Sequence, residues 1–270
     1  MTIAVIGAAD GLSAAFRAEF VRRGHHTFAD SGRKFYDMRT AVSFIKRCSP
    51  DAVICCGEHS QTDVPAVRNI AALCGKLGIA VMYISSAAVY GSRGDFSEDS
   101  SPAPVSVKGR ADLLCESIIR SVCKKYYILR LPELIFGQGG STDCVVNILR
   151  HGAEKKISSA DNSTMHCAVY AGDAAEIAGD ILSNGICGIY NCANRGEFTE
   201  FGFASEVFRH ARLSGFDEYY DVSVTPTERP ADSAVLRCDS IAAANIEPLN
   251  SWQDAAERYI SGTLRNSKGW

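Results

Sequence analysis

Four places in the sequence carry side chains suited to chemistry. Ser85 and Ser86 close the apolar run Ile79–Ile84, and Lys108 and Asp112 follow on a stretch patterned as a helix. A short run of that kind reads as a strand buried on both faces of a parallel sheet. Ligands of open α/β sheets sit beyond the carboxyl ends of such strands. Ser86 is therefore placed to offer a hydroxyl to a substrate oxygen, although a strand-end serine also serves simply to close local backbone. A spacing of four puts Lys108 and Asp112 on one helical face, where opposite charges pair. Glu58 and His59 follow another apolar run and form either an acid/base pair or a solvated loop. The fourth place is Gly7-Ala8-Ala9-Asp10-Gly11, directly after the first apolar run. Its glycines either let backbone N–H groups reach an anion at a helix start or only shape the turn.

The elements that must position these groups alternate. Apolar runs at 2–7, 25–29, 51–56, 79–85 and 126–131 read as strands. Helical patterns fill 11–23, a stretch opened by Asp37, 66–77 and 106–124. Strands alternating with helices predict βαβ units and a parallel sheet. The expected fold is a Rossmann-like, doubly wound α/β domain over residues 1–140. After Gly137-Gln138-Gly139-Gly140 the alternation loosens. Helices are expected at 145–150, at 174–182 capped by Asp173, and at 200–212 capped by Thr199. Strands are expected at 167–170 and 188–192, a loop over 225–233, and short helices near Ser240 and Ser251. Residues 141–270 should form a smaller substrate lobe with segments returning to the main sheet.

The stretch from Ile84 to Glu116 resembles the active-site segment of the extended short-chain dehydrogenase/reductases. Ser85-Ser86-Ala87-Ala88-Val89-Tyr90-Gly91, the acidic and proline-rich loop through Glu98, Asp99, Pro102 and Pro104, and the helix with Gly109 and Glu116 carry the likeness. The tail, Arg229-Pro230-Ala231-Asp232-Ser233, Leu236, Pro248 and Trp252, is similar to dTDP-4-dehydrorhamnose reductases. The resemblance implies a site for a nucleotide-sugar, a nicotinamide cofactor (NAD or NADP), and Ser86 in a catalytic set with a tyrosine and a lysine. Lys108 stands where that tyrosine belongs, and Asp112 where the lysine belongs. Asp112 would be anionic and cannot lower a phenol's pKa as a lysine does; Lys108 as a general acid is the alternative, and Tyr90 belongs to a structural motif. Gly7 and Gly11 would approach the cofactor pyrophosphate, but Asp10 and Ser13 replace two glycines of the expected loop and count against the dinucleotide. Asp37 matches an acidic residue near the adenine. Asp30 and Arg33 would select between cofactors, Arg229 would bind a diphosphate, and Arg130 would hold the fold. The implied protein is reductase-like and without hydride transfer: a nucleotide-sugar binder, or a partner subunit. Two alternatives stand beside it, an active NAD(P)-dependent reductase or epimerase with rearranged acid/base groups, and an interaction module keeping only the scaffold. A homodimer fits as well, because in many relatives the 106–124 helix pairs between subunits.

Composition agrees with a cytoplasmic α/β protein. The 270 residues are 46% hydrophobic and carry a net charge of −3, with no basic block, which argues against a nucleic-acid partner. No apolar run reaches the length of a membrane span. Eleven cysteines occur without metal-site or redox-pair spacing. They read as reduced, buried thiols, with Cys115 and Cys144 the candidates for reactivity.

Overall fold

The computed structural model describes residues 1–7, 11–30, 33–56, 64–140, 143–155, 157–216 and 219–266. In chain order its elements begin with β1 (Thr2–Gly7), α1 (Gly11–Arg22), β2 (His26–Asp30), α2 (Met38–Cys48), β3 (Ala52–Cys56), α3 (Val64–Leu77) and β4 (Ala80–Ser86). A short β5 (Arg93–Phe96) precedes α4 (Val107–Val122) and β6 (Tyr126–Leu131). Then come β7 (Leu134–Phe136), α5 (Cys144–Lys155), β8 (Ile157–Asp161), β9 (Ala168–Tyr170), α6 (Ala171–Asn184) and β10 (Gly188–Asn191). The chain closes with α7 (Glu200–Leu213), β11 (Ser223–Thr227), β12 (Ser233–Leu236), α8 (Asp239–Ala243) and α9 (Trp252–Asn266).

Six strands form one sheet in the order β2-β1-β3-β4-β6-β10, every neighbour parallel. The order reverses between β1 and β3, the point at which a doubly wound sheet opens a crevice. Apolar residues of both strand faces are buried. On one side Ile3, Val5, Met82 and Ile84 pack with Phe16 and Phe20 of α1 and Ile177 and Ile181 of α6. On the other, Val53, Val81 and Tyr83 pack with Phe44, Ile70 and Ile119 of α2, α3 and α4. The near-continuous apolar strands of the sequence follow from this two-sided burial.

The second half departs from its sequence pattern in places. The expected loop over 225–233 contains the end of β11 and the start of β12, each recruited by a partner strand: β11 pairs with β8, and β12 with β5. Asp173 does not cap a helix. It lies inside the first turn of α6, buried, where its carboxyl accepts from Arg258 and Asn194. The last helix is long, and its Trp252, Ala255, Ala256 and Tyr259 join the core around Phe198 and Phe203. β10 returns to the main sheet beside β6. Among the described residues no helix is long and apolar enough to cross a membrane.

Candidate active site

β4 and α4 build the site. Gly109 lets α4 come down on the turn after β4, since a Cβ there would overlap the Ala88 carbonyl. Ser106 caps the helix by accepting from the Gly109 N–H at 2.9 Å. That contact fixes which face of α4 turns inward, and Asp112 and Glu116, one turn apart, both point under the sheet's end.

Asp112 is fully buried. Its carboxyl accepts from the Tyr83 hydroxyl at 2.7 Å and from the Ser86 hydroxyl at 2.6 Å. The expected ion pair with Lys108 does not form. Lys108 lies at the edge of that face and points out, its Nζ 2.9 Å from Glu133 Oε2 at the surface. Sharing a helical face does not make two residues partners when one side of that face is core. A surface pair of this kind contributes little stability. Ser86 directs its one hydrogen at Asp112, so it presents lone pairs, not a proton, to any ligand. Tyr83 is held protonated: burial, then the neighbouring Asp112, push its pKa well above the ordinary value.

Behind this group lies a second one. Glu116 accepts two hydrogen bonds from Arg130, at 2.9 and 2.6 Å, and one from Ser85 at 2.6 Å. Arg130 also donates to the Tyr90 hydroxyl at 2.7 Å, and Tyr90 donates to the Ser97 carbonyl. Arg130 thus holds the fold, as its place at the end of β6 suggests, and Tyr90 is part of the same frame. Phe96 stacks on Tyr90 with ring centroids 4.7 Å apart. Glu98, from the acidic loop, accepts from the backbone N–H groups of Asn191, Asp239 and Ser240, tying that loop to β10 and α8.

The cofactor residues separate. Gly7 adopts φ +149° and packs so close that a Cβ would overlap the Cys56 carbonyl. Gly11 opens α1 at φ +50°, and a Cβ on it would stand 2.8 Å from Gln138 Oε1. The Gln138 side chain therefore lies against the helix start. Asp10, Glu58, His59 and the side chain of Arg33 lie outside the described residues. Asp37 caps α2, accepting from the Arg39 N–H at 3.1 Å and the Thr40 hydroxyl at 3.0 Å, and these bonds hold its pKa below the ordinary range. Asp30 lines a cavity of about 260 Å³ with Arg39 and Arg47. Ser13 is buried in α1.

Arg229 is exposed, and the loop that carries it is anchored from below. The Asp161 carboxyl accepts from the backbone N–H groups of Ser163, Thr164 and Arg229 and from the Ser163 hydroxyl. The Ser163 hydroxyl first, with the backbone donors, holds Asp161 far below the usual carboxylate range. Neither cysteine candidate is exposed. Cys115 is buried in the core, and burial, with Asp143 beside it, pushes Cys144 up to about 12.

These residues test the nicotinamide cofactor that the fold implies. The resemblance implies a cation at position 112 to hold its ribose and a proton donor beside it. That position holds a carboxyl already bonded to Tyr83 and Ser86, so the residues present do not fit the nicotinamide end. Sequence reasoning missed Tyr83, whose signal was a tyrosine inside a strand buried on both faces, where its hydroxyl needs a partner. It also missed Gln138 and Asp161.

Comparison with known proteins places the arrangement. Residues 1–264 match the RmlD substrate binding domain. The chain belongs to that family. The dTDP-4-dehydrorhamnose reductase of Escherichia coli K12 is 23% identical over 249 residues, which cover 80% of this chain and 81% of the relative. The dTDP-4-dehydrorhamnose reductase of Bacillus anthracis, solved in complex with NADP, superposes with a TM-score of 0.86 at 18% identity, covering 97% and 99% of the two chains. The same enzyme from Clostridium acetobutylicum gives 0.85 at 19% identity, over 99% and 100%. The RmlD-type architecture therefore extends over the whole chain, while the inward face of α4 carries a carboxyl.

Proposed function

We propose that this RmlD-type chain binds a nucleotide-sugar, or a nucleotide, and has lost Tyr/Lys hydride transfer. It serves as a pseudoenzyme or partner subunit in a cytoplasmic carbohydrate pathway. The observation that carries the reading is Asp112: a buried carboxyl, bonded to Ser86 and Tyr83, in the place of the cation. The exposed Lys108, paired with Glu133, supplies no replacement acid. Arg229, on a loop pinned by Asp161, supplies a guanidinium for a diphosphate. The family's substrates are nucleotide-sugars, and that class is the ligand expected here.

A second reading has support of its own. The first glycine of the nucleotide loop is kept with its special backbone, and the Bacillus anthracis relative was solved with NADP. It makes the chain an NAD(P)-dependent reductase or epimerase with rearranged acid/base groups. Calorimetry with NADH, NADPH and a set of dTDP- and UDP-sugars separates the two. The expected result is a nucleotide-sugar signal without a dinucleotide signal. Tight NADPH binding, with NADPH oxidation on addition of a dTDP-4-keto sugar, sinks the first reading. Silence toward every ligand leaves the scaffold as an interaction module.

A further inference from the structure

A hydroxyl carries one hydrogen and two lone pairs, so the direction of the hydrogen decides what it asks of a ligand. At the end of β4 both hydrogens turn back into α4. Ser85 gives its own to Glu116 Oε1 at 2.6 Å, and Ser86 gives its own to Asp112 Oδ2 at 2.6 Å. Both bonds are as short as those a hydroxyl makes to a charged oxygen. Asp112 accepts at its other oxygen as well, from the Tyr83 hydroxyl at 2.7 Å, and burial, with Asp112 beside it, keeps that phenol protonated. Lys108 and Arg130 direct their donors elsewhere, to Glu133 and to Glu116 and Tyr90. Ser86 thus ends the strand as an acceptor. It is the last residue of β4 and 3% exposed, so a partner for its oxygen has to be a small group that a ligand carries into the crevice.

We propose, resting on the nucleotide-sugar reading above, that Ser86 selects a ligand whose sugar presents a hydroxyl and rejects one that presents a carbonyl at the same carbon. A sugar hydroxyl gives its hydrogen to the Ser86 oxygen, and the pair is complete. A carbonyl brings only lone pairs. Set against Ser86, it leaves two acceptors facing each other, each taken from water without a replacement bond. Turning the Ser86 hydrogen round to meet the carbonyl would strip the buried Asp112 carboxyl of one of its donors, which costs as much or more. Sites built to hydrogen-bond a substrate hydroxyl discriminate strongly against the analogue that lacks it. The preference is opposite to what reduction of a carbonyl needs, a donor aimed at the carbonyl oxygen. The ligand class narrows accordingly, from nucleotide-sugars in general to those in the hydroxyl form.

The test is calorimetry on the full chain with dTDP, dTDP-6-deoxyglucose and dTDP-4-keto-6-deoxyglucose, the two sugars differing only in a hydroxyl or a carbonyl at one ring carbon. The readout is the ratio of their dissociation constants. In the wild type the hydroxyl sugar should bind about tenfold tighter or more, the worth of one satisfied bond against one buried acceptor left bare. Asp112→Asn changes a single oxygen to an amide. Tyr83, a phenol and the stronger donor of the two hydroxyls, keeps the asparagine oxygen, and the amide N–H donates to Ser86. The Ser86 hydrogen is then released toward the ligand, and the preference should invert in favour of the ketone. Tyr83→Phe with Asp112→Leu removes the buried acceptor together with its other donor, which guards against a variant that does not fold. Ser86 then rotates to suit either sugar, and the ratio should fall to about one. A role for Asp112 in packing alone would weaken both sugars together and leave the ratio where it was; that result in both variants overturns the proposal. A wild type that binds the ketone as tightly as the hydroxyl sugar, or more tightly, overturns it while leaving the nucleotide-sugar reading in place. No binding of either sugar removes that reading and the proposal with it.

Discussion

Asp112 is a buried carboxyl whose surroundings make its role measurable. A buried carboxyl needs donors, and it has found two hydroxyls, from Tyr83 and Ser86. Tyr83→Phe removes one of them without changing the packing volume much. The cost should be about 1–3 kcal/mol, the penalty of leaving a buried acceptor short of a partner, read from denaturant midpoints. The pH dependence has a definite sign. Burial and then Asp112 raise the Tyr83 pKa above its unfolded value, which is about 10. The contribution of Tyr83 is therefore complete below about pH 10 and is lost as pH rises through the raised value. The wild type should lose stability steeply above pH 10, and Tyr83→Phe less so; parallel alkaline slopes would refute the assignment. At this scale the sequence was informative about residue types and misleading about contacts. That a lysine and an aspartate stand at positions 108 and 112, where the resemblance implies a tyrosine and a lysine, was legible. That Lys108 and Asp112 part company was not, because a spacing of four says which face two residues share and not how far the core extends across it.

Among elements, the decisive junction is the one among β4, α4, β6 and β10. Glu116 of α4 and Arg130 of β6 form a bidentate pair, each about 1% exposed, with Ser85 of β4 bonded to the same carboxyl. Tyr90 and Asn191 extend it to β10. Removing one member of such a pair leaves a buried charge without compensation. Glu116→Gln should cost about 3–5 kcal/mol by chemical denaturation. Replacing the pair together, Glu116→Gln with Arg130→Met, should cost less than Glu116→Gln alone. A double variant worse than the single one would show that the pair's packing, not its charge, holds the junction. The main-sheet elements were readable from buried apolar runs alternating with helical periodicity. β11 and β12 were not, because Thr225, Pro226 and Pro230 carry turn chemistry and the strands form only by pairing with β8 and β5, distant in sequence. Long-range pairing overrides local preference in such segments.

The whole molecule is knit across its midpoint. β10, from the second half, completes the edge of the main sheet, and Ile177 and Ile181 of α6 pack on Phe16 and Phe20 of α1. In the other direction, β5 of the first half pairs with β12 of the second, and Glu98 holds the start of α8. The sequence suggested a large domain over 1–140 followed by a smaller lobe. Cut there, the first part would expose the faces of α1, β1 and β6 that α6 and β10 cover. We therefore expect unfolding as one cooperative transition, with calorimetric and van't Hoff enthalpies equal, and no folded product from residues 1–140 expressed alone. Glu116→Gln should then lower the midpoint of the entire transition, since its partners reach both halves. Two resolved transitions, only one of them moved by Glu116→Gln, would mean that the second half folds by itself and that the substrate lobe is an independent unit.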